Sequence, residues 1–432
     1  MNRAINAEKG IRPFGLIIAV YVLFLTIKMT GSIIPINLYL ISAVTLIIGI
    51  VYYLHRVQIQ KVVFDQRLIT FWLFVVYCML TLIWSRDLQY GEQKLFIVAS
   101  TLFISTLVCE LVVKRTDRFL WWFCLFSLSI VIWYLFNYGL NRIDIGSQDF
   151  RLDLKTGLNP IVIGQYFGFS ILSFIFLSRF KKKTKVFRLL LGGVIGILII
   201  LIFLTGSKGP MLALGFSLVL PYVIARGFRV KFTLKFIFFV IVMLVFFLYL
   251  ISPLLQGGNP SALSTFIQRR FLDTGDTSGS ISGRMIYLSI AFKHILSRSP
   301  LQMIFGNGLG DFGFVFDDRF QANYPHNIFV ELLYEEGLLG MGLFLFLIYS
   351  VIRINFKQGR RLFSYKYEGT TLYYFLSLFY FSLFASMTSG DIAANFFVFV
   401  SILFVYKATK RVRIKPMPTH IESLEFYKYG TA

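Results

Sequence analysis

Long apolar runs follow one another along most of this chain, and nothing else in the sequence constrains the fold as strongly. Runs such as Leu95–Val113, Leu189–Thr205 and Leu338–Ile352 approach the ~20 residues that a helix needs to cross a bilayer. Hydrocarbon offers no partner to backbone amides, so only helices and closed barrels span it. The runs are continuous, not alternating over ~10 residues, which excludes a β-barrel. Charged residues make up 15% of the 432 positions, against ~25% in soluble domains. The expected fold is an all-α integral membrane protein.

Twelve spans can be read, with approximate cores at Phe14–Ile27, Ile33–Leu54, Leu68–Trp84, Leu95–Val113, Phe119–Phe136, Pro160–Leu177, Leu189–Thr205, Pro210–Ala225, Phe236–Leu250, Leu338–Ile352, Leu372–Met387 and Ala393–Tyr406. Nine spans then fill residues 1–251, a polar loop occupies 252–337, three spans fill 338–406, and residues 407–432 form a tail. The first run ends in Lys28-Met29-Thr30-Gly31. It lacks a small-x-small cleavage site, so it reads as a retained helix.

The net charge of +22 is unevenly placed. The connections that twelve spans put on the side of both termini hold 30 of the 43 Lys and Arg. Lys and Arg are retained in the cytoplasm, so both termini are expected there and the long loop on the outer face. Because these clusters are scattered over short turns, they suit anionic lipid heads and not nucleic acid. Cys78, Cys109 and Cys124 all lie inside apolar runs, where the expected role is that of small buried residues.

The chemistry-bearing residues gather on the outer face. Pro325-His326-Asn327 ends the loop and opens a helical stretch running to Glu336. Pro325 biases Tyr324 away from helix, so His326 is expected near a helix start, whose field favours a neutral imidazole. Arg284 follows a Gly-Ser run at the start of a helix over Met285–Leu296, and Lys208 sits in the turn Thr205-Gly206-Ser207-Lys208-Gly209-Pro210. Arg151 precedes an Asn-Pro span start. Each alone reads as a solvated or snorkelling cation. Together with one histidine they suit an anionic phosphate substrate and a proton to be removed. Glu331 and Glu335, four apart on one helix face, read as solvated or as paired with nearby Lys or Arg. No His or Cys cluster suggests a metal site.

These residues resemble the O-antigen ligase and O-antigen polymerase superfamily of bacterial inner membranes. The ligase pattern of His, then Asn, Ser or Gln, then nine residues and Gly-x-x-Gly is met by His326, Asn327, Gly337 and Gly340. The Gly306-Asn307-Gly308-Leu309-Gly310 turn and Ser282-Gly283-Arg284 also look like the family's loop. The resemblance implies about 12 transmembrane helices, with one large periplasmic loop between the ninth and tenth. It implies a metal-independent glycosyltransferase without a cofactor, using an undecaprenyl-pyrophosphate-linked oligosaccharide among membrane lipids. His326 is implied as the catalytic residue and Arg284 as a donor-phosphate ligand. Lys208 stands where the family usually has Arg, and supplies a point charge without a bidentate fork. Arg151 and Asn327 are further candidates for substrate binding, and a chain-length regulator is a candidate partner. Three functions stay open: a repeat-unit polymerase, a ligase to lipid A–core, and a flippase of lipid-linked oligosaccharides. The flippase expectation of paired interrupted spans in two halves finds no visible match in the sequence.

Overall fold

The computed structural model describes residues 12–30, 46–49, 51, 66–134, 160–180, 184–226, 281–315, 324–358 and 366–414. Among them every regular element is helical. The chain forms α1 (Arg12–Thr30), α2 (Gln66–Thr81) with a 3-10 turn (Leu82–Trp84), α3 (Leu88–Lys114), α4 (Thr116–Tyr134), α5 (Pro160–Phe180), α6 (Lys185–Leu204) and α7 (Lys208–Arg226). After the long loop begins come α8 (Ile281–Leu296), α9 (Pro300–Phe305), a 3-10 turn (Asp311–Val315), α10 (Ile328–Glu335), α11 (Gly337–Gln358), α12 (Lys366–Ser386) and α13 (Phe396–Ile414).

α1 to α7 and α11 to α13 each cover one expected span. Among the described residues, six helices are long and apolar enough to cross a membrane: α3, α4, α5, α6, α7 and α11. α1 and α2 contain shorter apolar stretches, Gly15–Met29 and Leu68–Trp84. The expected spans Ile33–Leu54, in most of its length, and Phe236–Leu250 lie outside the described residues.

α12 and α13 form the packed centre. α12 lies against α5, α7 and α13, and α13 also against α3 and α11. Both are buried over most of their length, from Leu372 to Phe381 and from Val398 to Tyr406. Their polar side chains are satisfied by neighbouring helices. Tyr374 shares a hydrogen bond with Ser173 of α5 at 3.0 Å, and Tyr380 accepts one from Asn355 of α11 at 3.1 Å. By contrast α6 exposes Leu189, Leu190, Ile199 and Ile200, as a lipid-facing helix would.

The helix ends sort into two groups. At one end Glu110 pairs with Lys407 at 2.7 Å and Lys114 at 3.0 Å, while Tyr367 bonds Asp117 at 3.0 Å. The other end gathers the first turns of α3, α7, α11 and α13 with the last turns of α2, α6 and α12. All of α10 lies at this second end.

The loop is less polar than its sequence suggests. Ser299 and Gln302 form a reciprocal capping box at the start of α9, with Pro300 in its first turn. α9 then packs against α11, and the Tyr77 hydroxyl of α2 donates to the Phe305 carbonyl at 3.1 Å. Leu296, Leu301, Ile304 and Phe305 remain exposed there, beside Trp84. This apolar, aromatic surface beside the end of a span suits the membrane interface.

Candidate active site

α10 is the axis of the site. The nine residues between Asn327 and Gly337 are the eight of α10 and its C-cap Glu336. The Asn327 side chain caps the helix, accepting from Phe329 N at 3.0 Å and Val330 N at 3.3 Å. Helix therefore begins at Ile328, and His326 stands just outside it. His326 has a φ of +56° and is the one non-glycine residue with positive φ among those described. For a residue other than Gly this is an uncommon conformation, at a cost of about 1–3 kcal/mol.

The imidazole sits edge-on to Tyr324 and Tyr287, with ring centroids 4.5 and 5.6 Å away. Its Nδ1 is buried and has no hydrogen-bond partner among the described residues. Burial, reinforced by the Arg284 charge, lowers the His326 pKa to about 4. The ring is thus neutral at pH 7. The cause differs from the helix-start field expected from the sequence: desolvation dominates, and a cation on another helix adds to it. Burial likewise pushes the Tyr324 phenol up to about 12, which keeps its proton for donation.

Arg284 lies in the first turn of α8, which starts four residues earlier than expected, at Ile281. Burial lowers its pKa, yet a guanidinium remains charged at any ordinary pH. α8 packs along α10, and this brings Arg284 and His326 together.

Lys208 arrives from another direction. Gly206, at a φ of +63°, closes the turn between α6 and α7, and Lys208 opens α7. Gly209 lies so close to Thr388 that a Cβ would come within 2.2 Å of its hydroxyl. The neighbouring Met387 carbonyl accepts from Asn327 Nδ2 at 3.3 Å. The turn after α12 therefore touches both the start of α7 and the cap of α10. Asn327, a candidate for substrate binding, has both side-chain polar atoms engaged within the protein. Arg151 lies outside the described residues.

The motif glycines serve the opposite end of α10. Gly337 has a φ of +65° and Gly306 of +79°, and the two backbones touch. A Cβ on Gly337 would come within 2.4 Å of Gly306 N and Ile304 O, and one on Gly306 within 2.2 Å of Glu335 O. The contact lets Asn307 N and Gly308 N bond the Tyr334 and Glu335 carbonyls at 3.2 and 2.8 Å. Orphan carbonyls at the end of α10 are thereby satisfied. Gly340 allows α11 to approach Tyr77.

Beneath α10 lies a charged cluster that the sequence did not reveal. Lys94 of α3, 1% exposed, donates to Glu331 at 2.6 Å and to Glu335 at 2.8 Å. Beside it Tyr90 donates to Asp391 at 2.7 Å, and Ile392 N donates to Glu331 at 3.2 Å. The expectation that the two glutamates are solvated is overturned, because Lys94 of α3 and the turn before α13 close over them; pairing with a lysine is what occurs. Burial pushes the Glu331 carboxyl up to about 8, against the pull of Lys94. Two carboxylates around one ammonium leave a negative charge in excess, which favours a retained proton. Lys94 directly precedes an apolar run, and a cation at that mouth was the available signal. Tyr287 and Tyr324 carried no signal, since aromatic residues are common throughout this chain.

Among the described residues no group of three His, Cys, Asp or Glu side chains could hold a metal ion. Residues 193–345, about a third of the chain, match the family described as O-antigen ligase. No curated protein matches the chain significantly. The matched stretch runs from α6 to α11 and contains Lys208, Arg284, His326, Gly337 and Gly340. Together with the His326-to-Gly340 spacing, this match supports the O-antigen ligase and polymerase superfamily as the family of this chain.

Proposed function

We propose that the chain is a periplasmic-facing glycosyltransferase of the bacterial inner membrane, with both termini cytoplasmic. It transfers a glycan from undecaprenyl pyrophosphate to the hydroxyl of a second lipid-linked repeat unit. The observation that carries this reading is the pairing of a neutral His326 with the Arg284 guanidinium in one half-buried site.

In the reaction the bond between the anomeric carbon and the pyrophosphate oxygen breaks, and the acceptor oxygen bonds to that carbon. The leaving group is a weak base, so its growing charge is the main demand. Arg284 and Lys208 meet it electrostatically. His326 accepts the hydroxyl proton or holds the hydroxyl in line. A base of pKa about 4 is weak on its own. Bound pyrophosphate would offset the Arg284 charge and raise the imidazole pKa, so the base strengthens once the donor is in place. The transfer needs neither a metal nor a nucleotide sugar.

Purified protein supplied with lipid-linked donor and acceptor tests this. New glycosidic product is expected, with His326→Ala reducing its rate by about 10²–10⁴. Product formation at the parental rate in His326→Ala removes the histidine from the mechanism. Movement of substrate across liposomes without any new glycosidic bond supports a flippase instead. The family description favours a second reading, ligation to lipid A–core. A deletion strain separates the two. Single repeat units on lipid A–core support a polymerase, and long lipid-linked chains missing from the core support a ligase.

A further inference from the structure

A cleft opens at the far end of α10 from His326. It has a volume of about 830 Å³ and is lined by Trp84, Arg86, Ser297, Arg298, Gln302 and Tyr334, among others. Arg298 stacks on the Tyr334 ring at 4.0 Å and donates through one Nη to the Leu333 carbonyl at 3.3 Å. Its Nε and other Nη are buried and have no partner among the described residues. A guanidinium held this rigidly, with donors unspent, is suited to a phosphate. Arg86 faces the same cleft. It is bound in a fork to Asp311, with both contacts at 2.7 Å, and its side chain is still 57% exposed. Asp311 cancels one of the two charges, so the cleft keeps a net positive charge.

The rim of the cleft is apolar. Trp84, Leu301 and Phe305 line it and are exposed. They belong to the interfacial surface formed by α9 and the end of α2. A ligand here would place a phosphate on Arg298 and an alkyl chain in the adjoining lipid.

We propose that this cleft holds the pyrophosphate of the acceptor lipid. The proposal rests on the glycosyl-transfer reading above and deepens it. In a polymerase the donor reacts at the sugar joined to its own pyrophosphate, so that pyrophosphate must lie beside His326. The acceptor reacts through a hydroxyl at the far end of its repeat unit, so its pyrophosphate must lie one oligosaccharide away. Arg284 lies twelve residues before the end of α8 at Leu296, roughly 18 Å at 1.5 Å per residue, and Arg298 follows two residues beyond that end. That is the span of a short oligosaccharide. α8 and the turn after it thus carry a cation for each lipid, and their length fits the repeat unit between them.

Native mass spectrometry of the full-length protein in detergent, titrated with undecaprenyl pyrophosphate, counts the sites. Two lipids are expected on the parent and one on Arg298→Ala. Ser297→Trp, which fills the cleft from an exposed position, should lose the same lipid. One lipid on the parent, or two on both variants, overturns the proposal. Displacement of the second lipid by phosphatidylglycerol at equal concentration also overturns it, and makes the cleft a phospholipid headgroup site. In the transfer assay Arg298→Ala should raise the acceptor KM about ten- to hundredfold, as for loss of a charged hydrogen bond. The donor KM should not change, and an unchanged acceptor KM would count against the assignment. Two bound lipids without product sink the transfer reading but keep a lipid-pyrophosphate cleft. Product with a single bound lipid sinks the cleft alone.

Discussion

The two ends of α10 are built for opposite purposes. At the first end His326 holds a strained backbone, an Nδ1 without a partner among the described residues and a half-buried ring beside Arg284. At the second end Gly306 and Gly337 bring two backbones into contact, and the terminal carbonyls of α10 are bonded by the 307–308 amides. One end stores strain and open polar atoms, as reactive sites do. The other bonds its terminal helix carbonyls to a neighbouring turn, as a scaffold does. A motif that reads as one unit in sequence is therefore two devices separated by eight helical residues, held in line by the Lys94 cluster.

The largest separation of the two should come from exchanging glycine in opposite directions. His326→Gly relieves the positive φ, so thermal stability in detergent should hold or rise while transfer falls by about 10²–10⁴. A stability loss matching the activity loss would show the histidine to be scaffold. Lys94→Met should come next. It leaves buried carboxylates uncompensated, at a cost of about 3–5 kcal/mol, seen as a lower melting temperature. Adding Glu331→Gln and Glu335→Gln should recover part of the loss; no recovery would mean that Lys94 matters for packing alone.

Gly337→Ala should destabilise by at least ~1–2 kcal/mol from its left-handed backbone, plus the clash with Ile304 and Gly306. Residual folded Gly337→Ala protein should still bind donor, since the first end is untouched. Asn327→Ala removes a cap worth ~1 kcal/mol. Its activity should drop only as far as His326 drifts, so the donor KM should change less than in Arg284→Ala.

A further test is of pH dependence. Burial raises the Glu336 carboxyl from 4.5 to about 8. The folded state then binds more protons than the unfolded state between these values, so this group's stabilisation is full below pH 4.5 and lost as pH rises towards 8. Glu336→Gln should flatten part of that decline in melting curves. His326 acts in the opposite sense. Its lowered pKa makes stability fall as pH drops from 6.5 to about 4.

The helices and the position of the motif were legible because they rest on local signals. Apolar length marks a helix in lipid, and Pro325-His326-Asn327 marks a break and a restart. The choice of Arg284 and Lys208 as partners of the motif rested on topology and family resemblance. What stayed illegible depends on partners far apart in the chain. Glu331 looks solvated on its own helix and becomes buried because Lys94 of α3 and the turn before α13 close on it. Gly306 and Gly337 look like two ordinary turn glycines until the fold presses them together. Arg298 looks like a loop cation until Tyr334 stacks on it.

By itself, then, the sequence determined an all-helical membrane frame and which histidine to suspect. The reason is that hydrophobic length and backbone chemistry act within one segment. Only the tertiary structure decided why His326 is neutral, which charge lies under it, and where a second cation waits. Desolvation and pairing are properties of the space between helices, and no single segment encodes that space.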